Sequence, residues 1–522
     1  MLKKTILRVL SFVLVLVMLA SFAVACNKDT GNSGNNGQQS DGGNTDEGGD
    51  KPDDPNGGGE VITDADPVKV LDGLPDQDMQ GYEFTVLCRE NTVFLREASA
   101  DNDTGDQVDQ AVYDRNFYVE DRYNCFLMTA PVTESPESTL TSTYNKSVSV
   151  GENAYQLALG HMMYTASECL NGTMLNLKLL PSIDLTKDYW HQSMNDAATI
   201  NNKIFFTASD YCTSSTYYTY VMTFNMDACE ERGIDVYGMV NDGTWTIDAL
   251  WEIASKSYED DGDNVVEFED DKFGFITHYN TAIVNWMFAL DVPVTSHPTA
   301  GDVEIYYGND HSIKAGEKVY DLLYESNNGS FILRDEEIQE TYSPEHPDMK
   351  ITSKFGFGDS LFIATKIFAL ENLRTSEIKY GIVPYPKFDE EQEKYYSHVD
   401  GRASFLFVPY TLPESEYGYV GAIVETLSAA TAHYVMPVIQ KAALLGRYSE
   451  DSQAYQMLQD TLDGRTYAFA YFTNSAVSAK PYWIFQNMMR DGSSNLNDYW
   501  KSKSRVAERE FKTLAAKYAK LK

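Results

Sequence analysis

The chain has 522 residues, with 78 acidic side chains against 41 Lys or Arg and a formal net charge of −37. A surface this acidic repels phosphate backbones, which excludes nucleic acid as a partner. Six cysteines with no Cys-x-x-Cys pair exclude the usual structural zinc frameworks, so neither a metal nor a cofactor is expected.

The first element is a targeting segment. Lys3, Lys4 and Arg8 precede an apolar run from Val9 to Met18, and small residues close it at Ala23-Val24-Ala25-Cys26. This predicts a secretory signal over residues 1–25, too short to remain as a bilayer anchor. The cysteine at the cut resembles the lipobox of bacterial lipoproteins, with Ala23 where that motif usually carries leucine. The resemblance implies cleavage before Cys26 and lipidation of its thiol, with attachment to the outer face of the cell membrane. Residues 26–66 are rich in Gly, Asn, Asp and Ser, with ten acids and two lysines, and are expected to form a flexible tether. That leaves a charge of −32 on the part expected to fold. Five cysteines remain, Cys88, Cys125, Cys169, Cys212 and Cys229, and are read as buried free thiols. No second apolar run approaches the length of a membrane span.

From Pro67 onward about 455 residues follow, too many for one ordinary core, so two lobes are expected. Strands are predicted over 82–86, 154–159, 203–207, 221–224, 273–276, 379–384 and 404–408, and helices over 107–123, 245–256 and 415–431. In 245–256, Thr246 is the expected cap, and Ile247, Leu250, Trp251 and Ala254 form the apolar stripe. The tail 497–522 is amphipathic and basic, and reads as a packed helix. Strand-helix alternation at this length predicts an α/β class with largely parallel sheets. Glu259-Asp-Asp-Gly-Asp-Asn264 does not meet the order of an EF-hand loop and reads as a solvated acidic loop.

Several stretches resemble the extracellular solute-binding proteins of bacterial ABC importers, in the branch related to maltose-binding protein. They are Asp109 to Asn124, Asn202 to Ala208, Phe224 to Asp227, Asp242 to Thr246, Phe355 to Phe362 and Tyr380 to Pro386, with Asp359 where lysine is common. The resemblance implies a two-lobe, type II periplasmic-binding-protein-like fold with a hinge. Lobe one would comprise 67–220 plus 405–472, and lobe two 221–404 plus 473–522. Chain crossings are expected near 219–221, 402–407 and 472–478. It also implies hinge closure on a ligand, delivery to ABC permease subunits, and no bond made or broken by a protein acting as a monomer.

Aromatics make up 13% of the residues, with 35 tyrosines. Sugar rings stack on flat aromatics and bond their polar ends, so a carbohydrate is the expected small-molecule solute. Open α/β sheets bind ligands outside the carboxyl ends of their strands. The candidates on that basis are His161 and Tyr164 after a lobe-one strand, Asp210 after the 203–207 strand, and Tyr218 before the first crossing. In lobe two they are Tyr279, Asn280 and Trp286; Asp400 precedes the second crossing, and Tyr482 and Trp483 follow the third. Each also has an ordinary reading, as a packed ring or a turn-bonding polar group. A glycoside hydrolase and a surface receptor are the competing functions. The chain has no Gly-x-Ser-x-Gly elbow, P-loop or His-Glu-x-x-His helix.

Overall fold

Alternating Tyr82-Glu83-Phe84-Thr85-Val86 does form a strand, β1 (Tyr82–Arg89), with Phe84 and Val86 buried. The structure, a computed structural model, describes residues 69–279, 281–296, 303–325, 329–333, 347–444 and 452–521. β1 pairs in parallel with β2 (Cys125–Val132) and β3 (Leu157–His161), and β10 (Ser404–Phe407) joins β3 antiparallel, giving the order β10-β3-β1-β2. Helices α1 (Thr92–Ala98) and α2 (Gln107–Tyr123) follow β1. Asp106 caps α2 by accepting from the Val108 and Asp109 N–H groups, and Asn124 ends it in the left-handed region.

The second sheet has the order β6-β5-β7-β4-β8, from β4 (Tyr220–Asn225), β5 (Phe273–His278), β6 (Ser330–Leu333), β7 (Ser360–Lys366) and β8 (Tyr380–Val383). β5 runs parallel to β6 and β7, whereas β4 runs antiparallel to both neighbours. Both sheets are therefore mixed, because the strands that return across the lobes enter each sheet reversed. Helix α3 (Ile247–Ser255) is capped by Thr246, whose hydroxyl accepts from Ala249 N–H at 3.2 Å. Its apolar stripe is narrower than expected: Ile247, Leu250 and Ala254 are buried, but Trp251 is exposed. The helix presses its Ala254 backbone onto Gly274 of β5, where a Cβ would collide with it. Helices α4 (Thr281–Ala289) and α5 (Asp310–Tyr324) complete this layer.

One predicted strand is absent. Asn201 and Asn202 both take positive φ and turn the chain between the bridged Ile200 and Lys203. Beyond that, Ile204 N–H donates to the Asn176 side chain and Ile204 O accepts from Leu177 N–H. Only Thr207 bonds a strand neighbour, Leu406, so no ladder forms. Later, α6 (Tyr417–Ala430) and α7 (Met436–Ala443) are joined by a π-helical turn over Thr431–Val435. The span Glu414–Ala443 is long and apolar enough to cross a membrane, contrary to the sequence expectation, with 72% of its most apolar window buried inside the fold. It is a core helix, packed against α2 and the short turn Lys69–Leu71. Then come α8 (Ser452–Asp463), α9 (Ile484–Arg490) and α10 (Ser504–Ala519). Helix α9 lies on α4, while α10 reaches Phe205 and Ala198, so the tail touches both layers. The five cysteines from Cys88 to Cys229 are buried and free.

Candidate functional site

The carboxyl edges of the two sheets meet at the chain crossings. In the first sheet, β1 ends at Arg89 and β3 at His161, beside the start of β10 at Ser404. In the second, β5 ends at His278 and β7 at Lys366, beside the start of β4 at Tyr220. The crossings themselves pair: Thr219 bridges Val399, and Asp400 N–H donates to Tyr218 O at 2.9 Å. A short parallel pair, β9 (Ser397–His398) with β11 (Arg465–Thr466), draws the third crossing alongside. Gly401 is required here, since a Cβ would collide with the Tyr471 hydroxyl.

A chain of buried charges runs through this junction. His278 Nε2 lies 2.8 Å from Asp348 Oδ1, and Lys366 Nζ lies 3.3 Å from both Asp348 Oδ2 and Asp400 Oδ2. Asp400 also accepts from Tyr220 Oη at 2.8 Å and from Arg402 N–H at 2.9 Å. Burial resists ionisation of Asp348, but Lys366 and His278 overcome it and hold the pKa at about 2. Burial likewise opposes the Lys366 charge, and Asp348 with Asp400 outweighs it, raising its pKa. On the lobe-one side, Arg89 donates to Ser404 Oγ at 2.8 Å and pairs with Glu134 at 3.4 Å. Its guanidinium lies 3.3 Å over the Phe94 ring. Arg402 pairs with the same Glu134 at 3.7 Å. Buried Glu97 accepts from Ser214 N–H and Ser404 Oγ, and burial pushes its pKa up.

Four sequence-selected residues come together here. Tyr218 is sandwiched between Phe94 and Phe368, with ring centroids 5.7 and 5.3 Å away. Asp400 anchors the charge chain. The His161 ring lies 4.5 Å from that of Tyr164. Burial, helped by Arg89, pushes the His161 pKa well down, and its Nδ1 has no hydrogen-bond partner among the described residues. The rim is open: Tyr164 is 43% exposed, and the Arg402 side chain 31%.

The other candidates stand apart. Asp210 lies 3.4 Å from His191 Nε2 and 4.0 Å from Arg465, in a separate cluster. Tyr279 donates from its hydroxyl to Gln486 O. Trp286 is wholly buried in the second lobe against Tyr385 and Phe275. Tyr482 is buried among Tyr471, Phe288 and His398, bonding His398 Nε2 at 3.2 Å, and half-buried Trp483 meets its ring edge-on at 4.7 Å. Asn280 and Cys26 lie outside the described residues.

No protein-family model and no curated protein sequence matches the chain. Solved structures do. A cyclo/maltodextrin-binding protein complexed with maltotetraose aligns at TM-score 0.53 and 11% identity, over 82% of this chain and 96% of that one. UgpB from Mycobacterium tuberculosis, complexed with glycerophosphocholine, aligns at 0.51 and 11%, over 82% and 98%. The periplasmic protein MalE from Listeria monocytogenes, complexed with maltose, aligns at 0.50 and 13%, over 82% and 97%. The fold is that of the two-lobe maltodextrin-binding proteins.

Sequence reasoning missed Arg89, Lys366, Asp348 and Arg402. Arg89 and Lys366 were within its reach, because each is a charged residue closing an apolar strand, the same carboxyl-end position that selected His161. Asp348 carried no such signal; it comes from the helical segment Pro347–Gly356, which packs on β7. The acidic loop is exposed, with Asp260, Asp261 and Asp263 carboxylates within 4.8 Å of one another.

Proposed function

We propose that this chain is an extracellular solute-binding lipoprotein that captures a carbohydrate between its lobes and delivers it to an ABC permease, without chemical turnover. The observation that carries the reading is the junction itself. The carboxyl edges of both sheets converge where the crossings pair, which is where a hinged α/β protein holds its ligand. The exposed Tyr164 ring offers a stacking face, and Arg402 and Glu134 beside it offer a donor and an acceptor for hydroxyl groups. Behind them, the Nδ1 of His161 and the Nε of Arg402 are buried without hydrogen-bond partners among the described residues. Unmet buried polar atoms cost about 1–3 kcal/mol each, so a ligand that bonds them is favoured over water-free closure.

Neighbours solved with maltotetraose and maltose support the sugar; the one solved with glycerophosphocholine marks a non-sugar alternative for the same fold. Calorimetric titration with maltooligosaccharides, glycerophosphocholine, peptides and polyamines tests this. Saturable binding of a sugar whose length is unchanged after incubation is expected. Binding of a peptide or polyamine alone overturns the carbohydrate, and shortening of the sugar overturns the absence of turnover.

A further inference from the structure

Helix α10 uses only one of its faces for folding. Ala507, Phe511, Ala515 and Tyr518 are buried. The Tyr518 ring meets Phe205 edge-on at 5.0 Å and its hydroxyl donates to Ala198 O. Ser478 donates twice to Glu510, fixing the flank of the helix. The opposite face exposes Arg505, Arg509, Lys512, Lys517 and Lys520, with Glu508 the acid among them. Steps of four, three, five and three residues keep these cations on the side of the helix away from the buried face. None of the five takes part in an ion pair among the described residues.

This stripe runs against the rest of the chain. Between 501 and 521 there are seven Lys or Arg and two Glu, in a protein with nearly twice as many acids as bases. The helix dipole accounts for Lys517 and Lys520 in the last turns, and works against Arg505 in the first. Cations stacked along one helix face repel one another. Folding therefore gives no reason for Arg505, Arg509 and Lys512, and the charge of the whole stripe fits a polyanionic surface.

We propose that the exposed face of α10 docks on the acidic phosphate headgroups of the membrane that carries the protein, and so sets the orientation of the lobes at the bilayer. The inference rests on attachment at the N-terminal side, as the lipidation of Cys26 would supply. Each Lys or Arg near an anionic surface adds to an attraction confined to roughly a Debye length. The remaining surface, net acidic, is repelled by the same headgroups. An anchored chain presents the stripe at the millimolar effective concentration typical of tethered groups, where a weak contact is populated.

The test couples the mature chain through Cys26 to a maleimide lipid, which supplies the anchor whether or not the cell lipidates it. The chain is then held on bilayers of phosphatidylcholine alone or with phosphatidylglycerol, and lysine acylation is read by mass spectrometry. Labelling of Lys512 and Lys520 is expected to fall several-fold on the phosphatidylglycerol bilayers and to recover at high salt. Lys256, 69% exposed on lobe two, should label equally on both. The double variant Arg505→Gln, Arg509→Gln should lose much of the protection. Equal labelling of Lys512 and Lys520 on the two bilayers at low salt overturns the proposal and leaves the stripe to an acidic protein surface.

Discussion

Lys366 Nζ and Asp400 Oδ2 stand 3.3 Å apart, tying the end of a lobe-two strand to the crossing that leads into lobe one. Lys366 holds Asp348 at the same distance. One buried cation is thus shared by two buried carboxylates, and removing Lys366 would leave both without their ion-pair partner. The Asp348→Asn change leaves Lys366 paired with Asp400 and is expected to cost about 2 kcal/mol, the scale of the depressed carboxylate pKa.

The same group sets a pH dependence. Asp348 has a depressed folded pKa of about 2, through Lys366 and His278 working against burial. Its contribution, roughly 2 kcal/mol, is complete above the unfolded carboxylate value near 4 and is lost as pH falls through about 2. Lys366 has a raised folded pKa, so its contribution is complete below the unfolded value of about 10.4 and is lost only at higher pH. Urea midpoints of the native chain should therefore fall between about pH 4 and 2. The Asp348→Asn variant should show a flatter acid limb; parallel acid limbs would refute the assignment.

Much of the fold was legible because local signals and tertiary packing agreed. Gln107–Tyr123 has a capping aspartate, an apolar side and a terminal Asn124 that accepts positive φ, and the helix has those bounds. Lys203–Thr207 forms no strand although its apolar content is that of one, since the N–H and C=O of Ile204 are met by Asn176 and Leu177 from elsewhere in the chain. At the site, position along a strand was legible and direction was not. His161 and Asp400 stand at the junction by that logic, while Trp286 is one helix face away, in the core. The partners of Lys366 lie 18 and 34 positions away along the chain, a distance over which pattern carries no information.

Lipidation is tested at its own residue. Cys26→Ser, expressed in a bacterium that processes lipoproteins, should appear in the medium or remain uncleaved. Normal processing and membrane retention of the variant would show that Cys26 is not the acceptor.

Closure is tested by small-angle scattering. If the lobes hinge about the paired Thr219 and Val399 crossings, a bound solute should reduce the radius of gyration. An unchanged radius at saturation, together with an unliganded form as extended as the liganded one, argues for a rigid cleft.

The aromatic candidates separate by what their removal does. Tyr164 is 43% exposed at the rim, and truncating it leaves no sealed cavity. Tyr164→Ala should weaken solute binding by about 1–3 kcal/mol, the range of an interface aromatic, with the melting temperature nearly unchanged. Trp286 is fully buried between Phe275 and Tyr385. Trp286→Ala should instead cost about 3–5 kcal/mol of stability, because the void loses both transfer energy and contacts. Trp483 falls between them, half-buried with its ring against Tyr482. Trp483→Ala is therefore expected to lower both affinity and stability, each by less than the extreme cases. Calorimetry and thermal melting on the same three variants give the answer. Undiminished affinity in Trp483→Ala would place that ring with the core, and undiminished affinity in Tyr164→Ala would remove the rim from the binding surface.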